Sequence, residues 1–169
     1  MSISMYDAAV PALLHTLESL KTIMEKAVKH AEAKKFDPNV LVGVRLAPDM
    51  LPFSKQVQIA SDSAKFAAAR LTGTDAPKFE DTETTMEQLI GRVDKTIAYL
   101  RGIDAKLFEG ADTRTVTITT PSRSFSFPGA TYLRHWVQPN FFFHVSMAYA
   151  LLRHNGVDIG KADYLGNVA

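Results

Sequence analysis

The sequence has 169 residues, of which 46% are apolar and 22% are charged, and its formal net charge at pH 7 is +1. This length suits one domain, residues 1–169, that is large enough to bury a core. The near-zero net charge argues against a nucleic-acid partner. The absence of cysteine excludes disulfides, thiolate metal sites and a cysteine nucleophile.

The chain start and the hydropathy pattern bear on location. Residues 1–7 have no basic start followed by an apolar run, so no signal peptide is predicted. No stretch approaches the roughly 18 consecutive apolar residues of a membrane span. A chain without cysteine also fits a reducing compartment. We therefore expect a cytoplasmic protein with no membrane partner.

Hydrophobic periodicity predicts four helical segments. In each of them, apolar residues recur at steps of three and four, which is typical of a helix with one buried face. The predicted segments are residues 4–34, 48–71, 84–107 and 130–154. Pro11 either kinks the first segment or marks its true first turn, and Pro139 either interrupts the last segment or starts a second helix. The connection 36–47 contains several apolar residues and is expected to pack against the helices.

Between the third and fourth segments, at residues 115–127, the apolar period falls to two. This alternation predicts a short β-hairpin. An isolated hairpin is marginally stable in water, so it must pack on the helices, through either Phe125 and Phe127 or Val116 and Ile118. Four amphipathic helices with short connections specify a four-helix bundle. The predicted fold class is therefore all-α, with a short β-hairpin before the last helix.

The end of the chain resembles the DinB/YfiT-like superfamily. Residues 152–156 read Leu-Arg-His-Asn-Gly, and His144 lies eight residues before Leu152. In that superfamily the last helix ends Leu-Arg-x-x-Gly, and it carries two metal-binding histidines four residues apart, the second of them eight residues before the leucine. On this chain His144 matches the second histidine, and Asn140 replaces the first.

The whole chain is similar to an uncharacterised branch of that superfamily, a family of unknown function. The stretches that carry this resemblance are residues 45–50, 56–60, 64–65, 69–71, 83–85, 156–157 and 160–166. The resemblance implies a four-helix bundle with a hairpin before the last helix and a pocket at one end of the bundle. It implies no particular activity, because the family has none assigned.

The resemblance also implies where a metal would lie. In relatives the pocket holds nickel or zinc on three histidines, one from the second helix and two from the last. Here the second predicted helix has no histidine, and one imidazole with an amide is a poor ligand set for these metals. We therefore expect a degenerate pocket with no metal and no cofactor. Its candidate residues are His144, Asn140, Asp62, Gln58 and Lys65.

Three interpretations of His144 remain open. It is a hydrogen-bonded core histidine, part of a polar small-molecule pocket, or a metal ligand. Ser61 and Asp62 would supply a nucleophile and an acid beside it, yet the chain has no Gly-x-Ser-x-Gly nucleophile elbow. His15 and His30, fifteen residues apart on the first helix, cannot share a site.

Two surface features bear on partners. Residues 141–143 are all phenylalanine and cover more than one face of their helix, so they lie either in a deep core or against another subunit. Together with the alanine-rich second helix, they predict a homodimer. Lys26, Lys29, Lys34 and Lys35 are expected to form a solvated face, since no basic and aromatic platform for nucleic acid accompanies them.

Two functions follow as hypotheses. The first is a non-catalytic small-molecule-binding or interaction protein with the degenerate metal pocket. The alternative is an enzyme resembling the thiol-dependent transferases or hydrolases of the superfamily, with His144 as the base.

Overall fold

The chain folds into four long helices and a small hairpin, as predicted. The computed structural model describes residues 3–120 and 122–167. Its elements are, in chain order, α1 (Met5–Lys34), a 3-10 segment (Pro38–Gly43), α2 (Phe53–Thr72), α3 (Met86–Arg101), a second 3-10 segment (Ala105–Phe108), β1 (Thr115–Thr119), β2 (Ser124–Pro128), α4 (Gly129–Tyr132), a π-helical turn (Leu133–Val137), α5 (Gln138–His154) and α6 (Lys161–Leu165). The long helices α1, α2, α3 and α5 form the bundle, in which α2 packs mainly on α3 and α5. Within the described residues, no helix combines the length and the apolarity that crossing a membrane requires.

The predicted apolar stripes face one hydrophobic core. Leu17 and Leu20 of α1 are fully buried, as are Ala60, Ala64 and Ala67 of α2. Small side chains let helix axes approach closely. The alanines of α2 are therefore used inside the bundle and are not a free surface for a second copy.

The predicted start of the second helix, residue 48, is wrong by five residues. The helix begins at Phe53, after Pro52 in extended conformation (φ −70°, ψ 167°). The ring of a proline disfavours the helical conformation of the residue before it, so Leu51 stays outside. The preceding connection packs as expected, because Leu41 and Val42 in its 3-10 segment are buried.

The predicted third helix is too long at both ends. It begins after Thr85. The Thr85 hydroxyl accepts from the backbone N–H of Gln88 at 3.2 Å, and the side-chain oxygen of Gln88 accepts from the backbone N–H of Thr85. This reciprocal cap makes Met86 the first residue of the helix. The regular helix ends at Arg101, and residues to 107 form a bend and part of the second 3-10 segment.

A π-helical turn at Leu133–Val137 joins α4 to α5. The last predicted helix is therefore divided, and Pro139 lies in the first turn of a second helix, α5, which is the second of the two predicted alternatives. Proline has no N–H to donate, and its ring clashes with the carbonyl four residues earlier, here that of His135. A wider turn accommodates both effects. Trp136, which belongs to this turn, contacts the Phe125 and Phe127 rings of the hairpin.

The hairpin packs on the bundle through all four of its apolar side chains. Val116 pairs with Phe127 and Ile118 pairs with Phe125, so the four share one face. Val116 and Ile118 are buried, and the Phe125 and Phe127 rings lie 5.6 and 6.2 Å from the Trp136 ring. Residue 121, between the two strands in the sequence, lies outside the described residues.

The C-terminal segment was not predicted to be helical, yet α6 forms and packs on α1. His15 Nε2 lies 2.5 Å from the carbonyl oxygen of Leu165, and Lys26 pairs with Asp163. His15 and His30 therefore have separate environments, since His30 contacts Phe36 instead.

Candidate functional site

His144 is held by an amide of α2. Its side chain is 8% exposed, and its Nδ1 lies 2.7 Å from Oε1 of Gln56. The Gln56 Nε2 donates to the carbonyl of Leu51 at 3.1 Å. Because an amide oxygen only accepts, His144 Nδ1 carries the proton and Nε2 keeps its lone pair. Burial lowers the pKa of His144 below its ordinary value of 6.5, so the ring is neutral at pH 7.

Asn140, one turn earlier on α5, contacts a different part of α2. Its Nδ2 donates to Ser63 Oγ at 2.8 Å. Ser63 and Gln56 are seven residues apart on α2, which is about 10 Å along the helix axis. The two positions of α5 that match the superfamily's histidines therefore face two separate partners.

These residues do not fit nickel or zinc. The α2 residue opposite His144 is Gln56, so the three positions would offer two amides and one imidazole. The Gln56 amide already uses both its oxygen and its nitrogen in hydrogen bonds, and the Asn140 nitrogen donates to Ser63. Divalent transition metals prefer imidazole, thiolate or carboxylate ligands in fixed geometry. No group of three or more His, Cys, Asp or Glu side chains in the described part of the chain is placed to hold a metal ion.

The other three predicted site residues lie away from His144, toward α3. Asp62 Oδ1 accepts from Lys65 Nζ at 2.8 Å and from Arg92 at 2.9 Å, and Gln58 Nε2 donates to Glu83 at 2.8 Å. The structure thus brings Asp62, Gln58 and Lys65 together with Arg92 and separates them from the histidine.

We call Asp62, Lys65, Asp81, Glu83 and Arg92 the ion cluster. The side chains of Arg92 and Lys65 are 1% and 3% exposed. Arg92 reaches Asp81 at 3.0 Å and Glu83 at 3.1 Å, and both acids belong to the connection 73–85. Buried charges require such partners, so the cluster fastens this connection to the bundle.

The hypothetical Ser–acid–base trio is not assembled. Ser61 Oγ lies 2.7 Å from Thr96 Oγ1, inside the α2–α3 contact. Asp62 belongs to the ion cluster, and His144 is bonded to Gln56. Nucleophilic catalysis needs these groups within hydrogen-bond reach of one another, and they are not.

A cleft of about 180 Å³ opens between α2 and the α4–α5 segment. We call it the α2–α5 cleft. Its lining residues are Ile59, Asp62, Ser63, Phe66, Arg70, Tyr132, Trp136, Val137 and Asn140. Of the predicted site residues, Asn140 and Asp62 line it, whereas His144, Gln58 and Lys65 do not. Arg70, Tyr132 and Ser63 also line the cleft, and no motif in the sequence predicts this; the only nearby sequence feature is Pro139, which predicts a break in the last helix.

The polar groups of the α2–α5 cleft centre on Arg70. Its guanidinium donates to the Tyr132 hydroxyl at 3.1 Å and lies 4.8 Å from the Phe66 ring centre. Tyr132 is 1% exposed, and this burial raises its pKa, so the phenol stays protonated. Within the described residues Arg70 has no carboxylate partner. The cleft therefore presents a cation that is fixed in place and not neutralised.

Two comparisons with known proteins bear on this architecture. A family model described as "Domain of unknown function (DUF1993)" matches residues 5–165. A crystal structure of a DinB family member protein from Shewanella denitrificans is 41% identical, over 96% of this chain and 92% of that chain, with a TM-score of 0.89. No curated protein matches the chain. The chain belongs to the DUF1993 family, a family of unknown function within the DinB-like superfamily.

Proposed function

We propose that this protein is a non-catalytic binding protein that holds a small molecule in the α2–α5 cleft without a metal. The observation that supports the proposal is the cleft itself, which is concave and has aromatic walls and a few converging polar groups. Small-molecule sites in proteins typically have these features. An apolar cavity of about 150 Å³ is large enough to bind benzene. A cleft of about 180 Å³ therefore suits a compact ligand of one ring with a polar substituent.

Catalysis at His144 has weaker support. A general base must lie within hydrogen-bond reach of the proton that it abstracts. His144 does not line the α2–α5 cleft, and its Nδ1 already donates to Gln56. A transferase or hydrolase that uses His144 would need a second entrance beside Phe143, whose ring lies 5.2 Å from the imidazole.

Ligand-observed NMR with a library of small polar fragments tests the proposed function. We expect several fragments to bind the unaltered protein and to be lost in Ser63→Phe, which places a ring inside the cleft. Ser126→Phe, on the exposed face of β2, is the matched control and should keep all of them. Fragments that bind both variants equally, or no binding fragment at all, would contradict the proposal.

We also propose that two copies pair through the exposed face of α5. Phe141 is fully buried in the monomer and Phe143 is 53% exposed, so only Phe143 supports this pairing. It borders a shallow depression of about 350 Å³ with His135, Trp136, Pro139 and Asn140. Sedimentation at micromolar concentration should give a dimer. Phe143→Ser should dissociate it, whereas the control Leu107→Ser, at another exposed apolar residue, should not. A monomer at that concentration would contradict the proposed dimer.

A cytoplasmic location belongs to the same proposal, supported by a chain without cysteine. Cell fractionation tests it, and recovery in the membrane or secreted fraction would contradict it.

A further inference from the structure

We propose that the α2–α5 cleft selects small cyclic carboxylates, with Arg70 as the group that recognises the carboxylate. This inference rests on the binding function proposed above and adds the chemical class of the ligand. The arginine side chain has five N–H donors in a planar fork that matches a carboxylate. In the described structure the only hydrogen-bond partner of this guanidinium is the Tyr132 hydroxyl, so most of these donors are unused.

Two aromatic residues hold the guanidinium of Arg70. Its carbon lies 4.8 Å from the centre of the Phe66 ring, at cation–π distance, and the guanidinium donates to the Tyr132 hydroxyl at 3.1 Å. A side chain that already makes these contacts loses less conformational entropy when it forms a bidentate contact with a ligand. The site is therefore organised before a ligand arrives.

Other donors point into the same cleft. The Tyr132 oxygen accepts from Arg70, and its own proton has no acceptor in the described residues. Ser63 Oγ accepts from Asn140, which leaves the Ser63 hydroxyl proton for a ligand. A cation and two hydroxyl donors with no bound acceptor are complementary to an anion.

Asp62 lines the same cleft but does not cancel this field. Its Oδ1 is bonded to Lys65 at 2.8 Å and to Arg92 at 2.9 Å, so its charge is offset on the side of the ion cluster. Asp62 and Arg70 are eight residues apart on α2, about 12 Å along the axis. A carboxylate at Arg70 therefore lies at the end of the cleft away from Asp62.

The aromatic lining and the volume of the cleft indicate which group the ligand carries beside its carboxylate. Phe66 and Trp136 supply flat apolar surface, and about 180 Å³ leaves room for about one six-membered ring beside the carboxylate. Benzoate and cyclohexanecarboxylate fit this description. Benzamide has the same shape as benzoate without its charge.

Trp136 is the single tryptophan of the chain, so its fluorescence reports on the cleft. We expect saturable quenching by benzoate, and affinity for benzamide at least about tenfold weaker, because a charge-assisted hydrogen bond contributes about 1.5–3 kcal/mol. Arg70→Gln should weaken benzoate binding by a similar factor, and Tyr132→Phe by about threefold. The matched control is Arg134→Gln, which replaces an exposed arginine of the π turn and should leave affinity unchanged.

The outcomes separate this inference from the function on which it rests. Equal affinity for benzoate and benzamide, or full benzoate affinity in Arg70→Gln, would overturn the carboxylate assignment and leave a binding cleft. Neutral fragments that bind in the NMR screen while neither carboxylate quenches Trp136 would do the same. If no fragment and no carboxylate binds, the proposed binding function itself is contradicted. Circular dichroism checks that Arg70→Gln folds, and if it does not, the comparison of benzoate with benzamide on the unaltered protein decides.

Discussion

The Nδ1 proton of His144 is donated to Oε1 of Gln56 at 2.7 Å. An amide of α2 thus lies opposite the inward histidine of α5, at the position where the superfamily resemblance implies a metal ligand. The contact fixes one neutral tautomer of the imidazole, and it leaves the Gln56 oxygen without a partner if the ring is removed. This hydrogen bond therefore joins α2 to α5.

Replacement of His144 by alanine should lower stability and leave the cleft intact. The Gln56 oxygen would be left unpaired at a buried site, which costs about 1–3 kcal/mol of the free energy of unfolding. Urea denaturation measures this difference. His154→Ala, at an exposed position, is the control and should change stability much less, and equal effects of the two variants would argue against the hydrogen bond.

Stability should also depend on pH through this histidine. Burial lowers the pKa of His144 in the folded protein below 6.5, so in the interval below that value the unfolded chain binds more protons than the folded one. The stabilising contribution is complete above pH 6.5 and is lost as the pH falls through the folded pKa. The advantage of the unaltered protein over His144→Gln should therefore shrink on acidification, as measured by denaturation at a series of pH values. An advantage that grows below pH 6.5 would contradict the lowered pKa.

Replacing Arg92 of the ion cluster should lower the free energy of unfolding far more than replacing an arginine of a surface ion pair. Arg92→Met leaves Asp62, Asp81 and Glu83 without their shared cation, and breaking a buried pair costs about 3–5 kcal/mol. Arg101→Met is the control, because Arg101 pairs with Glu18 at the surface and is 64% exposed. Denaturation measures both variants, and hydrogen exchange of residues 73–85 should quicken only in Arg92→Met.

Gly129 should tolerate no side chain. A Cβ there would lie 1.8 Å from the carbonyl oxygen of Ala111, so Gly129→Ala must displace α4, at a cost of about 1–3 kcal/mol or more. Because α4 carries Tyr132, ligand affinity should fall with stability. Gly91→Ala is the matched control, since a Cβ there meets nothing within 4 Å and alanine in a helix interior gains about 0.5–1 kcal/mol. Equal melting temperatures of the two variants would contradict the close approach.

The bundle was predictable because the four long helices each carry a stripe of apolar residues, and the hairpin because its period is two. The helix ends were harder to predict, because prolines and capping residues move them by a few residues without changing the spacing of the apolar residues. The π turn before Pro139 has no periodic signal, so its effect on Trp136 became visible only in three dimensions.

The site was only partly predictable because α2 is buried on two sides. Residues advance by about 100° per position on a helix, so Gln58, Asp62 and Lys65 share one face, which packs toward α3. Gln56, Ser63 and Arg70, seven residues apart, share the other face, which packs toward α5. The apolar spacing indicates one buried stripe on α2, and it does not indicate which neighbouring helix covers the polar residues on either side of that stripe.

Metal analysis of the purified protein tests the central claim most directly. Because two of the three superfamily positions hold hydrogen-bonded amides, we expect no stoichiometric nickel, zinc or iron, before or after incubation with each metal and removal of the excess. About one such ion per chain, lost in His144→Ala, would contradict it. That result would show a metal centre at His144 and would favour the enzyme hypothesis over the binding protein.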